Sequence, residues 1–146
     1  MTKLALDSNI LVYAELEPES DKGVRAQKLI EEYAQRGVLA VQCLLEFIAV
    51  IKRKRIASLP SALQKIDAWT IVFETAPTTD AVMRDALMLV RDHQIQVWDA
   101  VICAAVSNAG AGVLLSEDLQ DGASLSGMRV VNPFTRSDEE LKQLLG

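Results

Sequence analysis

Apolar residues fall into short continuous runs separated by amphipathic stretches, and the two kinds of pattern alternate along the chain. Leu4 to Leu6 reads as a buried strand. Ala26, Leu29, Ile30 and Tyr33 repeat at helical spacing, which predicts a helix from about Asp21 to Arg36, stopped by Gly37. Val38 to Val41 is a second short strand, and Leu44 to Arg55 reads as a helix with a basic end. Pro60-Ser61 suits a first helical turn and opens a helix carrying Leu63, Ile66 and Ala68-Trp69. The β-branched and aromatic run Ile71-Val72-Phe73 is a candidate strand. Thr79 or Asp80 caps a helix to about Asp92, with Met83, Ala86, Leu87 and Val90 on one face. A nearly all-apolar helix follows from Asp99 to Ala109, ended by Gly110. Val113 to Leu115 and Val130-Val131 read as strands, the latter closed by Asn132-Pro133, and a polar last helix begins at Ser137. Strands alternating with helices predict an α/β domain with a mostly parallel sheet. No repeat, low-complexity tract or flexible linker divides the chain, so one domain over 1–146 is expected.

Composition adds little to that picture, but charge changes it. Half of the 146 residues are hydrophobic, enough for a real core at this length. The apolar opening that follows Met1-Thr2-Lys3 is broken by Asp7 and too short to span a bilayer or act as a leader, so a cytoplasmic protein with no membrane partner is expected. Cys43 and Cys103 stand far apart inside apolar runs, which favours core packing in a reduced compartment over zinc or redox chemistry. The net charge of −5 at first argues against a nucleic-acid partner. If four carboxylates belong to a metal site, however, the rest of the molecule is left nearly neutral.

Four acids stand where ordinary surface charge does not. Asp7 interrupts the run from Leu4 to Val12, Glu46 is the sole charge from Val38 to Ile51, Asp99 is the sole charge from Ile95 to Val106, and Asp118 follows Val113-Leu114-Leu115. An ionised carboxylate near a core is costly unless it is paired or binds a metal. No lysine or arginine lies inside these runs to serve as partner. Oxygen-only donors select hard cations, Mg²⁺ or Mn²⁺. Taken singly, each acid has a plainer role: an Asx-turn for Asp7, a helix cap for Asp99, a solvated helix face for Glu46, a loop for Asp118. Ligands bind parallel α/β sheets at the carboxyl ends of the strands, where Asp7 and Asp118 would fall.

The segment Asp7-Ser8-Asn9-Ile10-Leu11-Val12-Tyr13-Ala14 resembles the opening motif of PIN domains, especially the VapC-type toxins of bacterial toxin–antitoxin pairs. Glu46 in Leu44-Leu45-Glu46-Phe47 resembles the family's second acid, and Trp98-Asp99-Ala100 its third. Ser116-Glu117-Asp118-Leu119-Gln120-Asp121-Gly122 resembles its fourth segment, with Asp118 in the acid's place, and Val131-Asn132-Pro133-Phe134 a common ending. The resemblance implies a three-layer α/β/α PIN fold and Mg²⁺- or Mn²⁺-dependent cleavage of RNA. It implies Asp7, Glu46, Asp99 and Asp118 as catalytic metal ligands, directly or through water; beside them Ser8 and Asn9 read as supporting contacts, phosphate contacts or turn residues, and Ser116 and Asp121 as supporting contacts. It further implies a homodimer and a cognate antitoxin protein.

Other features weigh less. Lys52-Arg53-Lys54-Arg55 suits the dipole at a helix end or an RNA backbone. His93 reads as structural, and Trp69, Trp98 and Phe73 as core or interface residues. A phosphatase with an aspartate nucleophile would want Asp-x-Asp after the first strand, where Asn9 stands instead. A phospho-acceptor domain would want paired acids and a late lysine. A PIN-type module that binds nucleic acid without cutting it is the remaining rival.

Overall fold

The computed structural model describes residues 2–146; Met1, part of the opening read above for a leader, lies outside the described residues. Strand β1 (Lys3–Leu6) leads into helix α1 (Ser8–Leu16) and α2 (Asp21–Tyr33). Next come β2 (Gly37–Ala40), α3 (Val41–Lys54), α4 (Leu59–Val72), β3 (Glu74–Ala76), α5 (Asp80–His93) and α6 (Val97–Asn108). The chain closes with β4 (Ala111–Leu115), β5 (Ser124–Leu125), β6 (Met128–Val131) and α7 (Asp138–Leu145). The six strands form one sheet in the order β3-β2-β1-β4-β6-β5, parallel except for the β5–β6 pair. Helices cover both faces, giving the three-layer α/β/α architecture of PIN type that the resemblance implied. No helix among the described residues is long and apolar enough to cross a membrane.

The sheet explains where a site can form. From β1 the chain adds β2 and β3 on one side, then returns to place β4 on the other, pairing Leu6 with Leu115 in parallel. The order reverses between β1 and β4, and in such sheets the crevice beyond the carboxyl ends at the reversal is the natural binding place. The central strands are buried on both faces, so β1, β2 and β4 are almost wholly apolar, with Leu4, Leu6, Leu39, Leu114 and Leu115 sealed from solvent.

Several elements depart from the sequence reading. The run Ile10 to Leu16, to which the sequence reading gave no element, is part of α1, which the Asp7 carboxylate caps by accepting from the Ser8 N–H. Ile71 and Val72 end α4 rather than forming a strand; both are exposed, and the strand begins at Glu74 beyond the buried Phe73. Helix α5 turns Val82, Ala86 and Leu89 inward and leaves Met83 and Leu87 exposed. Trp98 is half exposed, whereas Trp69 packs against Phe47 in the core. The polar last helix buries Leu141 and Leu145. The β5–β6 hairpin turns through Ser126 and Gly127, both at positive φ (52° and 79°), as a tight two-residue hairpin requires. Gly23 answers a different need: a Cβ there would lie 1.7 Å from the Glu17 carbonyl oxygen, so glycine alone lets α2 pack this close to the end of α1.

Candidate metal centre

The site assembles at the carboxyl ends of β1 and β4. The Asp7 N–H donates to the Leu115 carbonyl at 2.9 Å, and the Ser116 N–H to that of Val131 at 3.0 Å, so each strand delivers its next residue to the same edge. Asp7 is nearly sealed, 2% exposed, and its two oxygens are held differently. Oδ1 accepts from the Ser8 N–H at 2.7 Å, and Oδ2 from the buried Ser116 hydroxyl at 2.7 Å.

Glu46 comes from α3, half-buried beside its neighbour Phe47, which fills the core. The Ser8 hydroxyl donates to Glu46 Oε2 at 3.3 Å. Asp99 stands in the first turn of α6; the cap is Gln96, not Asp99, so its carboxylate is free of any capping duty. Asp7, Glu46 and Asp99 each offer an oxygen within 4.8 Å of the others. Asp118 lies outside that trio but is tied to it: the Asn9 side-chain amide donates to Asp118 Oδ2 at 3.1 Å and to Asp7 Oδ2 at 3.5 Å. The Asp118 N–H in turn donates to the Ser116 hydroxyl at 3.2 Å.

Charge confirms that this cluster differs from the other acids. The buried Glu15 is paired with Lys65, as an interior carboxylate normally must be. Among the described residues no lysine or arginine lies within 4.0 Å of Asp7, Glu46, Asp99 or Asp118. Burial pushes the Asp7 carboxyl up against the pull of the Ser116 and Ser8 hydrogen bonds. Burial and then the Asp7 charge push Glu46 up. Asp99 rises to about 6 through burial and the charges of Asp7, Glu46 and Asp118. A set of oxygen donors, crowded and uncompensated, fits a divalent hard cation.

The raised Asp99 carboxyl has a consequence for the metal-free protein. A carboxyl that holds its proton more tightly folded than unfolded lowers stability as pH rises from about 4 through about 6, and the whole penalty is present at neutral pH. With half-burial discounted, this amounts to roughly 1–2 kcal/mol. Asp99→Asn should therefore raise the melting temperature in EDTA at pH 7.5, with the gain shrinking as the pH approaches 4. Mg²⁺ or Mn²⁺ should stabilise the wild type more than the variant. A lower melting temperature for the variant at pH 7.5 in EDTA would contradict this electrostatic reading.

The neighbouring acids have other partners. Glu117 turns away from Asp118 and is held by Lys22 at 2.6 Å and by the Tyr13 hydroxyl. Burial works against its charge, but these two contacts outweigh it and keep the carboxyl below its ordinary value. Asp121 accepts from the Asn132 N–H at 2.9 Å and pairs with Arg136 at 2.8 Å, which hold its carboxyl low. Nothing in the sequence marked Lys22 or Tyr13 as supports of the loop that carries Asp118. Beneath the site, burial keeps the Cys43 thiol protonated and pushes Cys103 up to about 12, as expected of core cysteines.

No protein-family model matches the chain, and neither does any curated protein. Solved structures do. The chain superposes on VapC20 of Mycobacterium tuberculosis, a sarcin-ricin loop cleaving toxin, with a TM-score of 0.67 at 12% identity, over 80% of this chain and 90% of that one. It superposes on a chain of a toxin–antitoxin complex from Klebsiella pneumoniae with a TM-score of 0.66 at 18% identity, over 90% and 98%. A chain of the DNA-bound VapBC from Salmonella typhimurium gives 0.67 at 14% identity, over 91% and 99%. At such identities the likeness is one of fold: the chain shares the PIN-type architecture of VapC20 and of chains in these toxin–antitoxin complexes.

Proposed function

We propose that the protein is an endoribonuclease that cuts RNA phosphodiester bonds with Mg²⁺ or Mn²⁺, and that it is the toxin of a toxin–antitoxin pair. The observation that carries this reading is the convergence of Asp7, Glu46 and Asp99 without a compensating cation. These three would hold the metal, with Asp118 as the fourth acid, directly or through water. A dication bound there supplies a Lewis acid for the scissile phosphodiester and makes a water more acidic.

The chain's own residues supply the order. Ser116 and the Ser8 N–H fix both oxygens of Asp7, so its carboxylate cannot rotate away. Ser8 steadies Glu46, and Asn9 bridges Asp7 and Asp118. Such supporting contacts orient ligands and are costly to lose. The partner part of the proposal draws on the toxin–antitoxin assemblies that share the fold. A homodimer belongs to it as well: Leu45 on α3 and Trp98 on α6 are exposed apolar side chains beside Glu46 and Asp99.

Purified protein incubated with mixed RNAs should cleave them in Mg²⁺ or Mn²⁺ and stop in EDTA. Undiminished cleavage in EDTA would overturn the metal-dependent reading. Sedimentation of the protein alone checks the dimer.

A further inference from the structure

A groove of about 400 Å³ opens at the edge of the site, beside Asp118 and the Ser8 and Asn9 side chains that contact the acids. Ser8, Asn9 and Asp118 form its near end, α1 one wall, and the end of α3 the other. Its two ends differ in charge. The near end carries Asp118, and the far end carries Arg53, Lys54 and Arg55, with Glu17 the one carboxylate beside them. Among the described residues none of these three cations has a carboxylate within 4.0 Å, as is also true of Lys52, Arg84, Arg129 and Lys142, but these three are the ones gathered at one groove. The helix dipole accounts for cations in the last turn of α3. It does not account for Arg55, which lies past the helix end and donates to the Leu16 carbonyl at 3.0 Å, tying the two walls together. Between the charged ends the lining is apolar, from Val12, Leu16 and Val50, with Tyr13 alongside.

We infer that this groove is a subsite for unpaired RNA next to the scissile bond, with Arg53 and Lys54 holding the backbone phosphates and Val12, Leu16 and Val50 receiving a base. The inference rests on the ribonuclease reading for its position beside the acids. Unpaired cations at the mouth of an apolar slot match a strand of phosphates with splayed bases. The slot is of small-ligand size, roughly 300–1,000 Å³ being usual for such sites, which suits a single base better than a duplex. Phosphates held at the basic end would let the chain run toward the acids, where the scissile phosphate would lie once a dication offsets their charge.

The test measures binding of a short unstructured RNA by fluorescence anisotropy in Mg²⁺, in an Asp7→Asn background so that the strand stays intact. Arg53→Gln/Lys54→Gln should weaken binding about tenfold or more, the scale of lost charge-assisted contacts. It should also lower the slope of log affinity against log salt by about 1.4, or ~0.7 per phosphate released. Arg84→Gln/Lys142→Gln, which removes the same charge from α5 and α7, should change neither. Arg53→Lys should retain most of the affinity, which separates charge from folding. Equal affinity and slope in the groove and control variants would overturn the subsite and leave the ribonuclease reading untouched. Oligoglutamate binding as tightly as RNA, with the same dependence on Arg53 and Lys54, would make the groove an acidic-peptide site and overturn the RNA assignment. RNA held through Arg53 and Lys54 by a protein whose unsubstituted form cuts no RNA would keep the subsite and defeat the ribonuclease reading.

Discussion

Asp7→Asn should lower the rate of RNA cleavage by roughly a thousand-fold, about 4 kcal/mol of barrier, while the protein remains folded. Asp7 has two duties that this substitution separates. As the cap of α1 it accepts from the Ser8 N–H, and the asparagine oxygen does that equally well. Its other oxygen accepts from the Ser116 hydroxyl, and a rotated hydroxyl can accept from an amide NH₂ instead. What is lost is the charge at the centre of the three-acid cluster. A neutral side chain at a site 2% exposed also relieves desolvation, so stability in EDTA should hold or rise. Asp7→Ala is the informative contrast: it removes the cap as well, at a cost of about 1 kcal/mol, and strands a buried hydroxyl. In cells, expression of the wild type should slow bacterial growth and Asp7→Asn should relieve it. Equal growth arrest by both at equal expression would show that cleavage is not the cause.

The second large effect is expected at Asp118. Of the three acids in the loop after β4, Asp118→Asn should lower cleavage about a hundred-fold (~3 kcal/mol) and weaken Mn²⁺ binding. Glu117→Gln and Asp121→Asn should leave Mn²⁺ affinity near that of the wild type. Geometry is the reason. Asp118 alone is bridged to Asp7 through the Asn9 amide, whereas Glu117 is committed to Lys22 and Tyr13, and Asp121 to Arg136 and the Asn132 N–H. The losses at the other two positions are structural and small, within about 1 kcal/mol for such partly exposed pairs. An inactive Asp121→Asn beside a near-normal Asp118→Asn would move the fourth acid further into the loop.

The three clustered acids were legible because each is a lone charge inside an apolar run, and burying such a charge demands a reason. The alternation that gives a parallel sheet was equally visible. Helix α1 was not, since Ile10-Leu11-Val12 has no polar side to set a helical period, although Asp7-Ser8-Asn9 is a good cap. The face of α5 was misjudged for a related reason: Val82, Met83, Ala86, Leu87, Met88, Leu89 and Val90 offer more than one apolar stripe. Propensity misled at Ile71-Val72, where β-branched side chains end an exposed helix. The β5–β6 hairpin had a signal, Ser126-Gly127, in a region too polar to draw notice. How Asp118 joins the other acids depends on loop contacts from Asn9 and Ser116, which no local pattern encodes.

The sheet ends in a three-residue strand, β3, on one side and a two-residue strand, β5, on the other. Each border therefore offers only one or two free backbone groups, too few to template the addition of a foreign strand. The interior strands, apolar and buried, are reached only after the helical layers come off. Intermolecular contact in the native state is thereby directed to helix surfaces and grooves, and the folded chain can persist alone without fibrillising.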